Sequence, residues 1–297
     1  MTNALQTGGS LSRIFRARWW RVLSGTVRRF SRHHVLDEAG GIAFFMLLGL
    51  GPAMTALVLL YGLFIDPDTA TQDLLRLAPV MPEDAARLIA DQLVRLGEQD
   101  REALGLGAAA GFAVALWSAN RAMRALLRAL NQVREAQESR GWLARRLVAL
   151  AFTLGGLLLT VLAIAAVIAL PLALGVLGLG GAEGLALRLL RWPLLVAVVA
   201  LFLALLYRYG PCETEPRWRW VSWGSALATL IWLAGSAAYS WYVGRFGGRS
   251  GGYGPLGAVV GAMTWFWLSA AVALLGAVVN AELERVNEGG EPPASTR

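Results

Sequence analysis

From Gly41 to Ile65 the sequence runs without one charged side chain, a stretch longer than the ~20 residues an α-helix needs to cross ~30 Å of hydrocarbon. A soluble core helix needs no such run. Further long apolar runs cover Leu104 to Ala119, Val148 to Leu179, Trp192 to Tyr209, Val221 to Val243 and Pro255 to Ala281. Hydrophobic residues make up 56% of the 297 residues and charged ones 16%, gathered into the segments between these runs. The expected fold is therefore all-α: a polytopic membrane protein with six transmembrane helices plus amphipathic interfacial helices.

Loop charges set the orientation. Arg13, Arg16, Arg18, Arg21, Arg28, Arg29 and Arg32 precede the first run, which puts the N-terminus in the cytoplasm by the positive-inside rule. The loop from Asp66 to Glu102 is acidic and suits the outside. A second basic block, Arg121, Arg124, Arg128, Arg134, Arg140, Arg145 and Arg146, returns to the inside only if Leu104 to Ala119 crosses. Six spans satisfy both blocks and leave both termini cytoplasmic. The expected organisation is a basic cytoplasmic or interfacial segment 1–37, a six-helix domain 38–285 and a disordered cytoplasmic tail 286–297. Residues 1–37 do not read as a cleavable signal, because the first apolar run begins too late and is too long.

Three segments outside the runs read as amphipathic helices. Leu11, Phe15, Trp19, Val22, Thr26 and Phe30 recur every three or four residues among arginines, as in an interfacial helix lying on anionic headgroups. Pro82, Glu83 and Asp84 open a second, with Leu88, Ile89, Leu93 and Leu96 as its apolar stripe. The third, Arg121 to Val133, sets Met123, Leu126, Leu127, Leu130 and Val133 against three arginines, a membrane-retention face or a lipid site. Membrane lipids, with anionic headgroups at cytoplasmic arginines, are the expected partners.

The chemistry inside the runs is sparse. Their interiors hold no Asp, Glu, Arg or His, so intramembrane proton relays lack residues. There is no Lys, which excludes lysine-dependent mechanisms. Hydroxyls such as Thr153, Thr160, Ser225, Thr229, Thr264 and Ser269 suit helix packing. Gly107 with Gly111, and Gly257 with Gly261, form GxxxG pairs that allow close helix packing and permit a homo-oligomer. Gly49, Gly51 and Pro52 form a breaker cluster, read either as an interruption lining a transport path or as a kink taken up by neighbours. His33 and His34 stand in a basic segment without ligands at metal spacing and read as solvated. Cys212 reads as a free thiol without a role. No metal or cofactor is expected, and the basic blocks are topological rather than a nucleic-acid surface.

Several stretches together resemble the YihY/BrkB family of bacterial inner-membrane proteins, once labelled ribonuclease BN-like. They are Gly40 to Phe45 leading to Gly51-Pro52; Leu116 to Leu126 with Leu130-Asn131; Arg191-Trp192-Pro193; Tyr242 to Gly247; Tyr253 to Val259; and Leu275 to Glu284. The family commonly carries an acid where this sequence has Val278, while Asn280 and Glu282 remain. The resemblance implies a six-helix envelope protein of the bacterial inner membrane with a transport or lipid-handling role, and the residues themselves lead to the expectation that the chain is not an enzyme. Missing acid-base and metal constellations argue against the ribonuclease label. The expected pathway residues are Pro52, Asn120, Arg121, Asn131, Arg191, Arg245, Asn280 and Glu282. The competing expectation is a non-catalytic structural or assembly protein.

Overall fold

A computed structural model describes residues 19–64, 101–164, 182–212, 223–247 and 254–287. Every element among them is helical: α1 (19–32), α2 (Val35–Phe64), α3 (Arg101–Val133), α4 (Trp142–Ile164), α5 (Ala182–Tyr209), α6 (Trp223–Tyr242) with a π-helical turn at Val243–Gly247, and α7 (Gly254–Asn287). Helices are what hydrocarbon requires, since each satisfies its backbone internally. The expected helix after Pro82, residues 1–18, most of the acidic loop, the end of the third run and the tail beyond Asn287 lie outside the described residues.

Four described stretches are long and apolar enough to cross a membrane: Val35–Leu60, Trp142–Ala163, Trp223–Arg245 and Leu256–Asn287. The run at Leu104 to Ala119 belongs instead to the 33-residue α3, which continues without a break through Arg121, Arg124 and Arg128. The amphipathic segment expected after this run is thus the same helix. In α5 the apolar part, Pro193–Tyr209, is shorter than the four.

The chain divides into two compact units. Unit 1 comprises Met1–Gly40, Met123–Ser240 and Trp267–Arg297. Its core joins Val272, Leu274, Ala277 and Val278 of α7 to Leu130 and Val133 of α3, Leu206 and Tyr207 of α5 and Ala228 of α6, all buried. Small residues set the closest approach: a Cβ at Gly276 would lie 2.7 Å from both the Ala228 Cβ and the Gly224 carbonyl oxygen. Beside them the Tyr207 hydroxyl donates to the Ala273 carbonyl at 2.6 Å.

Unit 2 comprises Gly41–Ala122 and Trp241–Phe266. Here α2 and α3 run antiparallel. The Ser118 hydroxyl donates to the Phe45 carbonyl at 2.6 Å, and a Cβ at Gly49 would stand 3.1 Å from that of Ser118. Further along, a Cβ at Gly111 would be 3.1 Å from the Pro52 carbonyl oxygen and one at Gly107 3.0 Å from Leu59. The breaker cluster is not a break: α2 is helical through Pro52, Gly49 is a contact surface for α3, and Gly51 faces open space. Gly257 is exposed and Gly261 half-buried on α7.

The face of α1 expected to rest on headgroups turns partly into the protein. Val22, Gly25 and Thr26 are buried, and Gly25 leaves no room for a Cβ against Glu282. Trp20, Leu23 and Val27 form a second, exposed apolar stripe. Hydroxyls of the long helices bond mainly to their own backbone: Thr153 to Ala149, Thr160 to Gly156, Thr229 to Ser225 and Thr264 to Val260.

Candidate functional site

The polar end of unit 1 is built by helix termini. α3 closes with paired bonds, Glu135 N–H to the Gln132 carbonyl at 3.1 Å and Ala136 N–H to that of Asn131 at 2.9 Å. This closure needs a left-handed residue, usually Gly. Here Glu135 takes it with φ 54°, an arrangement that strains a non-glycine backbone. The carboxylate gained sits 3.8 Å from Arg29 and 3.7 Å from His33. Arg29 also donates to Glu282 at 2.8 Å and to the Val133 carbonyl at 2.7 Å, locking α1 to the ends of α3 and α7. Arg134 grips Glu284 of α7 at 2.9 and 3.4 Å.

Two of the expected pathway residues serve as caps and connectors. The Asn280 carbonyl accepts the Gly224 N–H at 2.8 Å, satisfying one of the donors left free where α6 begins. Asn131 accepts the Cys212 N–H at 2.8 Å and donates to Glu138 at 2.9 Å. Arg140 closes the same corner by donating to the carbonyls of Tyr209, Gly210 and Pro211 at 3.0, 2.9 and 2.7 Å, where cationic donors suit the negative end of α5. Cys212 receives a role as well, its sulfur 3.1 Å from the Ser139 hydroxyl. Asn131, Asn280 and Glu282 are thereby held in protein-protein bonds, and all three are buried.

His33 departs from the solvated expectation. Its side chain is 12% exposed while that of His34 is 75% exposed. Burial and then the charge of Arg29 lower its pKa from 6.5, against an opposing pull from Glu135, and Arg32 lowers it further. Among the described residues no group of three or more His, Cys, Asp or Glu could hold a metal ion.

The remaining expected residues, apart from Arg191, lie in unit 2. Arg191 is within α5. Pro52 and Asn120 are half-buried, and Arg121 and Arg245 are exposed. The Arg121 guanidinium lies over two rings, 5.1 Å from Trp117 and 5.8 Å from Phe45. Arg245, in the π-helical turn, lies 5.8 Å over Trp241. Arg146 repeats the arrangement at 4.1 Å over Trp142 in unit 1. All three are Trp-x-x-x-Arg pairs, whose one-turn spacing stacks side chains on one helix face. That spacing is a sequence signal that counting basic blocks passes over. No hydrogen bond or ion pair reaches Arg121 or Arg245 from the described residues, so the in-plane N–H donors of both keep their capacity for an anion.

The chain's residues 26–297 match the sequence profile of the family described as virulence factor BrkB. Among curated proteins it is 27% identical over 262 residues to a Bacillus subtilis (strain 168) protein named as ribonuclease-like, YfkH, covering 86% of this chain and 93% of that one. It is also 30% identical over 281 residues to a UPF0761 membrane protein of Verminephrobacter eiseniae (strain EF01-2), covering 91% of this chain and 64% of that protein. This chain therefore spans less than two thirds of the second relative's length. No solved structure matches.

Proposed function

The chain belongs to the BrkB family of membrane proteins, and from that premise we propose that it translocates a lipid or similar amphiphile in the bacterial inner membrane, without acting as an enzyme. The observation that carries this reading is the contrast between the units. In unit 1 Asn131, Asn280 and Glu282 are consumed by protein contacts, whereas in unit 2 Arg121 and Arg245 stand exposed on aromatic rings with donors to offer. A headgroup needs such donors, and its acyl chains need the apolar surface around them.

Six crossings with both termini cytoplasmic accord with this reading. The polar end of unit 1 gathers the turn before α2, the end of α3, the approach to α4, the end of α5, the start of α6 and the end of α7. Starts and ends alternate there, as they do when every helix crosses. α3 has 33 residues and α5 has 28, enough at ~1.5 Å each to span the bilayer. The basic blocks orient this end to the cytoplasm. Arg245, just past the end of the apolar run Val221 to Val243, belongs in this arrangement to the outer side.

Reconstitution tests the function. Liposomes holding the pure chain are expected to move labelled phospholipid between leaflets; folded protein that moves none contradicts the reading, and metal-dependent turnover of RNA contradicts its non-enzymatic part.

A further inference from the structure

We infer that Arg121, backed by Trp117 and Phe45, is a seat for the phosphodiester of a membrane lipid in the cytoplasmic leaflet. The α2–α3 register carries the depth. Ser118 pairs with Phe45, Gly111 with Pro52 and Gly107 with Leu59, so Arg121 stands level with the turn at Gly41 and Ile42. Along the same helix Gly41 and Ile42 follow its only charged residues, Asp37 and Glu38, by about one turn. Arg121 thus sits where hydrocarbon gives way to headgroups, the level of lipid phosphates.

Its direction sets it apart from an ordinary interfacial arginine. Long cationic side chains near a membrane edge commonly reach outward to water. Helical side chains, however, lean toward their own N-terminus, and α3 enters from the far side. The guanidinium accordingly lies inward over Trp117, one turn deeper. Contact with the rings does not use the N–H donors of the cation, which can make two parallel bonds to phosphate oxygens, a geometry arginine favours. Without an anion those donors would face apolar surroundings, and Phe44, Leu48 and Trp117 are all exposed large apolar side chains of the same unit. A phospholipid satisfies both: phosphate on Arg121, acyl chains along the apolar surface. The seat deepens the translocation reading by naming the headgroup contact on the inner side, and it rests on that reading for its role but not for the binding.

Native mass spectrometry of the full chain, titrated with phosphatidylglycerol, with diacylglycerol and with inorganic phosphate, tests it. Arg121→Gln should weaken phosphatidylglycerol binding by about tenfold, the loss of one charge-assisted pair. Arg121→Lys should weaken it less, Arg146→Gln, which removes a matched Trp-stacked charge from α4, should leave it unchanged, and diacylglycerol should bind poorly. Wild-type affinity in Arg121→Gln, an equal loss in Arg146→Gln, or displacement of the lipid by inorganic phosphate would each overturn the seat. Should Arg121→Gln fail to fold, Arg121→Lys and Trp117→Leu, compared at the wild-type elution volume, supply the same decision. If the lipid is held at Arg121 while wild-type liposomes move none, the seat stands and the translocation reading falls. If Arg121→Gln binds like wild type, the seat falls whatever the liposomes show.

Discussion

Arg29 and Glu282 are 253 residues apart in sequence and meet at 2.8 Å, with side chains only 10% and 8% exposed. Glu282 occupies a notch that Gly25 leaves open, so α1 is fastened to α7 by shape as well as charge. Breaking such a buried pair strands a charge, which costs about 3–5 kcal/mol. Arg29→Ala and Glu282→Ala should each lower the unfolding midpoint sharply. The double replacement Arg29→Met with Glu282→Leu should cost less than either single change. Thermal unfolding in detergent checks this, and a double variant as unstable as the sum of the singles contradicts it.

The start of α6 gives a graded series. Asn280→Ala leaves the buried Gly224 N–H unpaired and should cost about 1–3 kcal/mol. Gly224→Ala should cost more, because its Cβ would meet the Gly276 carbonyl oxygen and the Asn280 side chain. Gly51→Ala and Gly40→Ala face open space on the helical α2 and should stabilise by about 0.5–1 kcal/mol. The same unfolding measurement ranks all four.

Acid should loosen the polar end. His33 has a folded pKa below its unfolded value of 6.5, so below that pH the unfolded chain takes up the proton more readily than the folded one. Its contribution is full above pH 6.5 and is lost as pH falls toward the lowered value. His33→Gln should flatten the unfolding midpoint over this window, and an unchanged slope would show that another group titrates there.

Orientation is accessible to fusions. A reporter after Arg297 should read as cytoplasmic, as should one placed before α1, and a periplasmic signal from either end removes the six-crossing arrangement.

How much of this was legible in the sequence follows from the range of each interaction. The run at Gly41 marks α2 because apolarity over one segment is a local property. Likewise Gly107 and Gly111 announce a small-residue face, although only the structure shows α2 filling it. The partners of Arg29, Arg134 and Arg140 were not legible, since a topological rule counts arginines by side of the membrane and ignores which carboxylate or carbonyl each one finds. Glu135 was hidden more deeply: a position that usually asks for Gly holds a carboxylate because Arg29 and His33 arrive from another helix. Asn280 and Glu282 stood out as polar residues at a membrane edge, and their bonds to Gly224 and Arg29 show polarity serving assembly. Val278, where the family resemblance sets an acid, is fully buried in the unit 1 core, an apolar setting that suits Val and would penalise a charge.

If an anionic headgroup uses the exposed arginines of unit 2, leaflet exchange of labelled phosphatidylglycerol in liposomes depends on them. Wild-type protein and Arg146→Gln, which removes a Trp-stacked charge from unit 1, should exchange lipid at similar rates, while Arg121→Gln with Arg245→Gln should slow exchange by about tenfold or more. Exchange unchanged in the double arginine variant, or absent from folded wild-type protein, would contradict the account.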